Sequence, residues 1–585
     1  MEAQLMIKTV YLIFKTHLDI GYTDYAGTVE KRYLESYIPN AIKVGYALKG
    51  TETPFVWTVG SWLIWQALKY DRDGVVEKAI KDGIIAWHAL PYTSHTEIMS
   101  AKLFEYGLSI SHKLDKRFGK RTHGAKMTDV PGHTIGAVPL MAKAGVDFLH
   151  IGINTAASPA DVPPLFKWRL GDDEVTVMYQ GSYGESQEFD DFAVCFAHTN
   201  DNMGPQSPDE IIAIYDKYKR MYPEAKIVAA TLDDVADRVN SLKNLPVITD
   251  EIGDSWLHGT ASDPKKVSGY LELLRYVEDK DIEDIDLCDS LLLIPEHTWG
   301  MCVMKYLPEV LHWAPSEIKA IEQQPEVKRI EKSWEEQRDY VTKAEKALGY
   351  KTLGAVEAPD LTGYTPVEIG DRSFSVIWQL FDYFNDNKRY IEKYMRLTDE
   401  NYWWALWDYT KFGLPDRYRG IVCEAEPAMC YEKDGERIYK LSFPAEYKRL
   451  YGLPELYAIE REDFVEIRWF GMEKSRLPQA FYLKLHGLRE DWKINKMGTY
   501  IDPRYARGSK LLHATAECVS NGEVEVKALD SVLTLPFGRR LYDYERGTDM
   551  SYDMHFCLYT NQYNTNFPLW YCDDSRFRFE IKRLI

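Results

Sequence analysis

Hydrophobic positions in the first 260 residues fall into short runs separated by amphipathic stretches. Val10–Phe14, Pro54–Val59, Ile84–His88, Ala125–Thr128, Phe148–Ile153, Phe192–Ala197 and Ile227–Thr231 are brief and rich in β-branched or aromatic residues. Continuous apolar runs of this length predict strands buried on both faces. Helices with recognisable ends lie between them. Ser207-Pro208-Asp209-Glu210 reads as a capping box with proline at the first helical position. Thr134–Ala144 predicts a helix closed by Gly145 in a left-handed cap. Repeated strand–helix units need right-handed crossovers and give a parallel sheet or barrel. In such folds chemistry collects at the carboxyl ends of the strands.

The pattern changes twice. From about Pro264 to Tyr402 it is helical: Ile330, Trp334, Gln337, Val341, Ala344 and Leu348 step by four and three along one face. Lys265–Val277 and Leu291–Leu307 are expected partners in a bundle. From about Trp403 it is strand-rich. Val465, Ile467 and Trp469 alternate with Glu466 and Arg468, as Phe577, Phe579 and Ile581 do with Arg578 and Glu580. Period-two alternation with turns such as Asp434-Gly435 predicts an antiparallel sandwich. The expected organisation is a catalytic α/β domain over 1–262, a helical bundle over 263–402 and a β-sandwich domain over 403–585.

The length of 585 residues agrees with several domains. A net charge of −19 argues against nucleic acid and anionic membrane surfaces as partners. No apolar stretch approaches the roughly 18 residues of a membrane span, and the start shows no basic segment leading into an apolar one. A trimmed secretion signal stays compatible with this. Eight cysteines without a Cys-x-x-Cys pair argue against zinc ribbons and a disulfide framework, and the expected compartment is the cytoplasm. Self-association into a homo-oligomer is left open.

The candidate chemistry sits where the hydrophobic runs end. His17 and Asp19 follow the first run, and residues two apart on extended chain point the same way, so an imidazole and a carboxylate can face one ion. Asp129 follows a later run and precedes Pro131-Gly132-His133, where the dipole of a helix amino terminus favours an ionised acid. It could equally cap that helix. Asp201, in His198-Thr199-Asn200-Asp201-Asn202, could protonate a leaving group or simply serve the turn. His258, in Trp256-Leu257-His258-Gly259-Thr260, has Glu251 and Asp254 nearby as orienting groups or as ligands. Two histidines and two carboxylates at strand ends suffice for a zinc-dependent enzyme.

His-x-Asp-x-Gly-aromatic, followed far along the chain by a strand ending in Asp-x-x-Gly-His, resembles the glycoside hydrolase family 38 α-mannosidases. Phe55-Val56-Trp57 and Gly83-Ile84-Ile85-Ala86 fall where that family has its second and third strands. The motifs cover roughly the first 260 residues, and the order of domains extends the likeness over the rest. The resemblance implies an N-terminal (β/α)7-type barrel, a helical bundle and a C-terminal antiparallel β-sandwich domain. It implies zinc held by His17, Asp19, Asp129 and His258, with Asp129 as nucleophile and Asp201 as acid/base. Tyr22, Trp57, His133 and Trp256 are substrate-binding candidates, as are His297 and Trp299 in the unusual segment Glu296-His297-Thr298-Trp299-Gly300, which could line the rim of the site or be a packed loop; the expected partner is a carbohydrate. Tyr22 stands where the family has tryptophan, and the family's acidic residues near strands two and three are not evident, so a divergent branch is expected. The implied activity is retaining hydrolysis of an α-linked glycoside through a covalent glycosyl-enzyme. A zinc-dependent carbohydrate deacetylase and an inactive glycan-binding protein are the alternatives.

Overall fold

In the computed structural model, residues 6–253, 255–282, 285–307, 311–382, 395–508, 511–539, 541 and 549–584 are described. The chain divides into two units. The first comprises 1–94, 103–131 and 135–250; the second comprises 95–102, 132–134 and 251–585. The expected helical and β-rich regions both fall within the second unit.

Every apolar run of the first unit forms a strand. The strands of this unit are β1 (Thr9–His17), β2 (Trp57–Gly60), β3 (Ile85–His88), β4 (Gly124–Asp129) and β5 (Phe148–Ile153), then β6 (Leu165–Leu170), β7 (Asp173–Gln180) and β8 (Gln187–Glu188), and last β9 (Phe192–Asp201), β10 (Lys226–Ala229) and β11 (Val247–Ile248). The β6–β7 hairpin escapes the apolar-run pattern because Lys167, Arg169, Asp173 and Glu174 break it up. The ladders form two sheets, where the alternation left a parallel sheet or a barrel open and the resemblance implied a (β/α)7-type barrel. One runs β3-β2-β1-β9-β8, with β10 also paired to β1; the other runs β11-β6-β7-β5-β4. Strands β1, β2, β3, β9 and β10 are parallel, so their carboxyl ends share one edge. The β1–β9 ladder shifts register between Thr16 and His17, which sets His17 against Asp201.

Val10, Leu12, Ile13 and Phe14 have no exposed surface, as expected of strands covered on both faces. Ile13 joins Phe148, Met178, Phe192, Val194, Leu232 and Val235 in one core. A Cβ on Gly60 would come within 1.9 Å of the Pro91 carbonyl oxygen, so only glycine lets β2 end there. The helix Pro208–Met221 starts with the expected capping box at Ser207. The helix expected over 134–144 is shorter, Ala137–Lys143, and Gly145 follows it with φ +77°.

In the second unit the helix Pro325–Leu348 buries Ile330, Trp334, Gln337, Ala344 and Leu348 and ends at Gly349 with φ +63°. The helix expected over 291–307 is interrupted. It ends at Leu293 and resumes only over Val303–Tyr306. Pro295 lacks an amide hydrogen, and the non-helical segment between carries Glu296, His297 and Trp299. Strands begin before residue 403, at Thr365–Val367 and Phe374–Leu380. They belong to antiparallel sheets of ten and six strands. One core draws on both sheets, with Trp378, Phe481 and Phe556 from the smaller and Tyr439, Trp469 and Phe577 from the larger. Among the described residues no helix is long and apolar enough to cross a membrane.

A buried ion network ties distant segments of this unit together. Lys496 Nζ pairs with Glu97 and lies 2.8 Å from Glu251 Oε1, with His513 Nδ1 at 3.1 Å. Glu251 also accepts from the Thr134 hydroxyl at 3.3 Å. All three charged side chains are within 1% of complete burial. Removing one partner of a buried pair leaves an uncompensated charge, which costs about 3–5 kcal/mol. Lys496→Met is therefore expected to lower the midpoint of thermal unfolding markedly. An unchanged midpoint would show that the network adds nothing to stability.

Candidate active site

Three strand ends of the first unit supply the site. β1 delivers His17 as its last residue and Asp19 two residues on; both are almost fully buried, with His17 Nε2 3.2 Å from Asp19 Oδ1. β9 delivers Asp201. β4 delivers Asp129, whose φ of +83° turns the carboxylate off the strand axis. Tyr22 and Asn202 are also left-handed, at +56° and +53°. Non-glycine residues held there cost on the order of 1–3 kcal/mol each and persist only where the surroundings impose them.

Asn202 is one of those surroundings. Its Oδ1 accepts from the Asp19 amide at 3.1 Å and the Tyr33 hydroxyl at 3.1 Å. Its Nδ2 reaches the Asp19 carbonyl, the Gly21 carbonyl and Thr23 Oγ1 at 3.0–3.2 Å. Its amide donates to the His17 carbonyl at 3.0 Å. One asparagine thus holds the loop after β1 against the end of β9, fixing His17, Asp19 and Asp201 together.

Asp129 is held from the other side. Asn154 Nδ2 donates to its Oδ1 at 2.9 Å, and the Asn154 amide donates to the Asp129 carbonyl at 2.8 Å. The Tyr183 hydroxyl lies 2.6 Å from Asp129 Oδ1 and 3.0 Å from Asp201 Oδ1. Its ring stacks obliquely 4.9 Å from His17.

Burial and the neighbouring Asp19 carboxylate, with a smaller push from Asp129, raise the Asp201 carboxyl to about 7, while His17 and the Tyr183 hydrogen bond pull the other way. Burial, Asp129 and Asp201 push the Tyr183 phenol well above its ordinary range, so it keeps its proton. Beneath the carboxylates lie two buried lysines. Lys15 Nζ is 3.2 Å from His88 Nε2, and burial lowers its amine to about 7. Lys126 Nζ is 2.6 Å from His150 Nδ1 and 2.7 Å from the Tyr183 carbonyl, and burial beside Lys15 holds it well below the usual amine range. A neutral amine still carries two N–H bonds, one for each acceptor.

The structure brings His17, Asp19, Asp129 and Asp201 into one electrostatic cluster within the first unit. Tyr22 is half-buried in the loop after β1. Trp57 has no exposed surface and stands beside Phe14 in the β1–β2 ladder. The remaining expected residues lie in the second unit. His133 Nδ1 is 3.3 Å from Thr96 Oγ1, which accepts from the Thr134 amide. Trp256 packs 5.7 Å from the Tyr409 ring. His258 has its Nε2 on the Leu541 carbonyl and its ring 5.0 Å from Tyr563. His297 has its Nδ1 2.7 Å from Glu296 Oε1. Trp299 carries the buried Lys266 amine 3.8 Å over its ring. Asp254 lies outside the described residues. Tyr183, Asn154 and Asn202 were not anticipated. Asn202 adjoins Asp201 in sequence, whereas nothing in Gly181-Ser182-Tyr183-Gly184 signals a site.

Residues 260–375 match a domain family described as a domain of unknown function, DUF5054. No curated protein matches this sequence. Among solved structures, the chain is similar to an alpha-mannosidase from Enterococcus faecalis V583, with a TM-score of 0.60 and 10% identity over 98% of this chain and 87% of that one. It is also similar to a protein in the Glycosyl Hydrolase Family 38 from Enterococcus faecalis, with a TM-score of 0.54 and 9% identity over 99% of this chain and 86% of that one. The chain has the fold of these two proteins.

A neighbouring carboxylate opposes a second negative charge, so removing Asp19 should lower the Asp201 midpoint from about 7. Infrared titration of metal-free protein carrying labelled aspartate is expected to show the Asp201 signal moving to lower pH in Asp19→Asn. A midpoint that stays in place would remove Asp19 as a cause.

Proposed function

We propose that the chain is a zinc-dependent retaining glycoside hydrolase acting on an α-linked glycoside, with an α-mannoside as the first substrate to test. One observation carries the reading. Asp129 Oδ1 and Asp201 Oδ1 lie 2.6 and 3.0 Å from the same Tyr183 oxygen, so they stand no more than the sum of those lengths, about 5.6 Å, apart. Retaining enzymes hold their two carboxyl groups about 5–5.5 Å apart and inverting ones about 6.5–9.5 Å. The fold shared with the two Enterococcus faecalis proteins supports the same reading.

In this proposal Asp129 attacks the anomeric carbon while Asp201 gives its proton to the departing oxygen. Asp201 then takes a proton from the water that releases the sugar. Two carboxyls in different surroundings can divide these tasks, and Asp201 is the one kept protonated near neutral pH.

The donor set suits zinc, which takes imidazole nitrogen and carboxylate oxygen. His17 and Asp19 are buried side chains that each offer one ligand atom. The proposal assigns the metal to these two with Asp129, all in the first unit. The resemblance also gave His258 a ligand role, but its Nε2 is already on the Leu541 carbonyl. When bound, zinc would supply Lewis-acid binding of neighbouring sugar hydroxyls.

Three outcomes follow. Chromogenic α-mannosides should be hydrolysed in a chelator-sensitive way, and Asp129→Asn should lose at least about 10³-fold in kcat with its fold intact. Near-normal turnover in that variant would end the nucleophile assignment. Because the first step needs the proton on Asp201, kcat/KM should fall as pH rises through about 7. Metal analysis should find zinc depleted in His17→Ala and retained in His258→Ala; the reverse would restore His258.

A further inference from the structure

We infer that Tyr183 is a third catalytic residue, whose single phenolic proton serves Asp129 in the free enzyme and Asp201 in the glycosyl-enzyme. The inference rests on the reading of Asp129 as nucleophile and Asp201 as acid/base. A phenol has one hydrogen, and two carboxyl oxygens lie within its reach, at 2.6 and 3.0 Å. It donates to whichever oxygen carries negative charge, since charge-assisted hydrogen bonds are the stronger ones.

The charge moves between the two in the proposed reaction. The proposed reaction starts with the negative charge on Asp129 and the proton on Asp201. In the first half-reaction the Asp129–carbon bond forms, the bond from carbon to the leaving oxygen breaks, and the Asp201 proton goes to that oxygen. Asp129 is now an ester and Asp201 a carboxylate. In the second half-reaction water attacks the carbon, Asp201 takes a proton from it, and the Asp129–carbon bond breaks. Each stage has one negative charge on the pair. The Tyr183 proton faces it each time by swinging between two oxygens that share its hydroxyl, without leaving the phenol.

This requires a phenol held still, and the segment 181–186 is clamped. Both ends of the Gln180 amide meet Glu185: its Oε1 accepts from the Glu185 amide at 2.9 Å and its Nε2 donates to the Glu185 carbonyl at 3.3 Å. That orientation makes His150 Nε2, 2.9 Å from Gln180 Oε1, a donor. His150 Nδ1 is then an acceptor for Lys126, whose other hydrogen bond goes to the Tyr183 carbonyl at 2.7 Å. The segment also lies directly on β5. A Cβ at Gly152 would come within 2.7 Å of the Tyr183 carbonyl oxygen and 2.8 Å of that of Ser182. Lys126, His150 and Gln180 are therefore positioning residues for Tyr183.

The test compares Tyr183→Phe and Lys126→Met in zinc-loaded, full-length protein on two aryl α-mannosides. One has a dinitrophenyl leaving group, so that release of the sugar limits turnover; the other has a poor leaving group, so that its attachment does. Tyr183→Phe should lose about 10²-fold in kcat on both, with KM within about threefold and zinc content unchanged. Loss on only one substrate would overturn the alternation, and turnover within threefold on both would overturn the catalytic role. Lys126→Met should lose about tenfold on both, and hydrogen exchange should speed up in 181–186; unchanged exchange there would overturn the clamp. Asp129→Asn, run alongside, separates the two failures. If it keeps turnover, the assignment of the carboxylates is wrong, and the inference falls with it. If it is inactive while Tyr183→Phe is not, only the inference fails.

Discussion

Mutual repulsion among buried carboxylates organises the first unit. Asp19, Asp129 and Asp201 act on one another across a site from which water is largely excluded. Three ionised acids in such a place would be prohibitively unstable. The structure relieves the repulsion in two ways. Asp201 holds its proton up to about pH 7, and the proposed cation would neutralise others. In the proposed reaction this arrangement would let the acid that holds its proton serve as the acid/base.

Holding acids together against repulsion takes rigid support, and the support is polar. Asn202 spends both ends of its amide on the loop after β1. Asn154 and Tyr183 hold Asp129 from opposite chain segments. Below them, Lys15 and Lys126 meet imidazoles instead of acids. A charged lysine there would be costly, while a neutral amine adds fixed N–H donors without a charge to balance. The left-handed backbone at Tyr22, Asp129 and Asn202 marks where this network overrides local preference.

The second unit meets the problem of buried charge differently. Lys496 is shared by Glu97 and Glu251, and all three are fully buried. Such a network adds less to stability than hydrophobic packing would, but it tolerates no missing partner. It makes the position of the segments at 95–102, 132–134 and 251 depend on one side chain of a distant strand. In the same unit Pro295 breaks a helix and leaves Glu296, His297 and Trp299 on a buried non-helical segment. Glu296 and His297 stand side by side there, Glu296 Oε1 2.7 Å from His297 Nδ1.

Local pattern alone determined much of this. The strands ending at His17, Asp129 and Asp201 are runs of residues that no other environment suits, and their ends follow from where the apolar residues stop. The Ser207 cap, the Gly145 and Gly349 helix ends and the Asp434-Gly435 turn are also local, because each rests on the backbone chemistry of a few neighbours. His17, Asp19, Asp129 and Asp201 were legible as strand-end residues for that reason. The β6–β7 hairpin and the break at Pro295 were not: charged residues break up the first, and the second falls between two apolar stretches that read as one helix. Only the tertiary structure decided that Asp129 and Asp201 share one hydroxyl, that Asn202 binds two strand ends, and that Lys126 reaches the Tyr183 carbonyl. Those contacts join residues up to 185 positions apart in the chain, as His17 and Asn202 are. They depend on which strands pair and in what register, and no periodicity within a single segment records that.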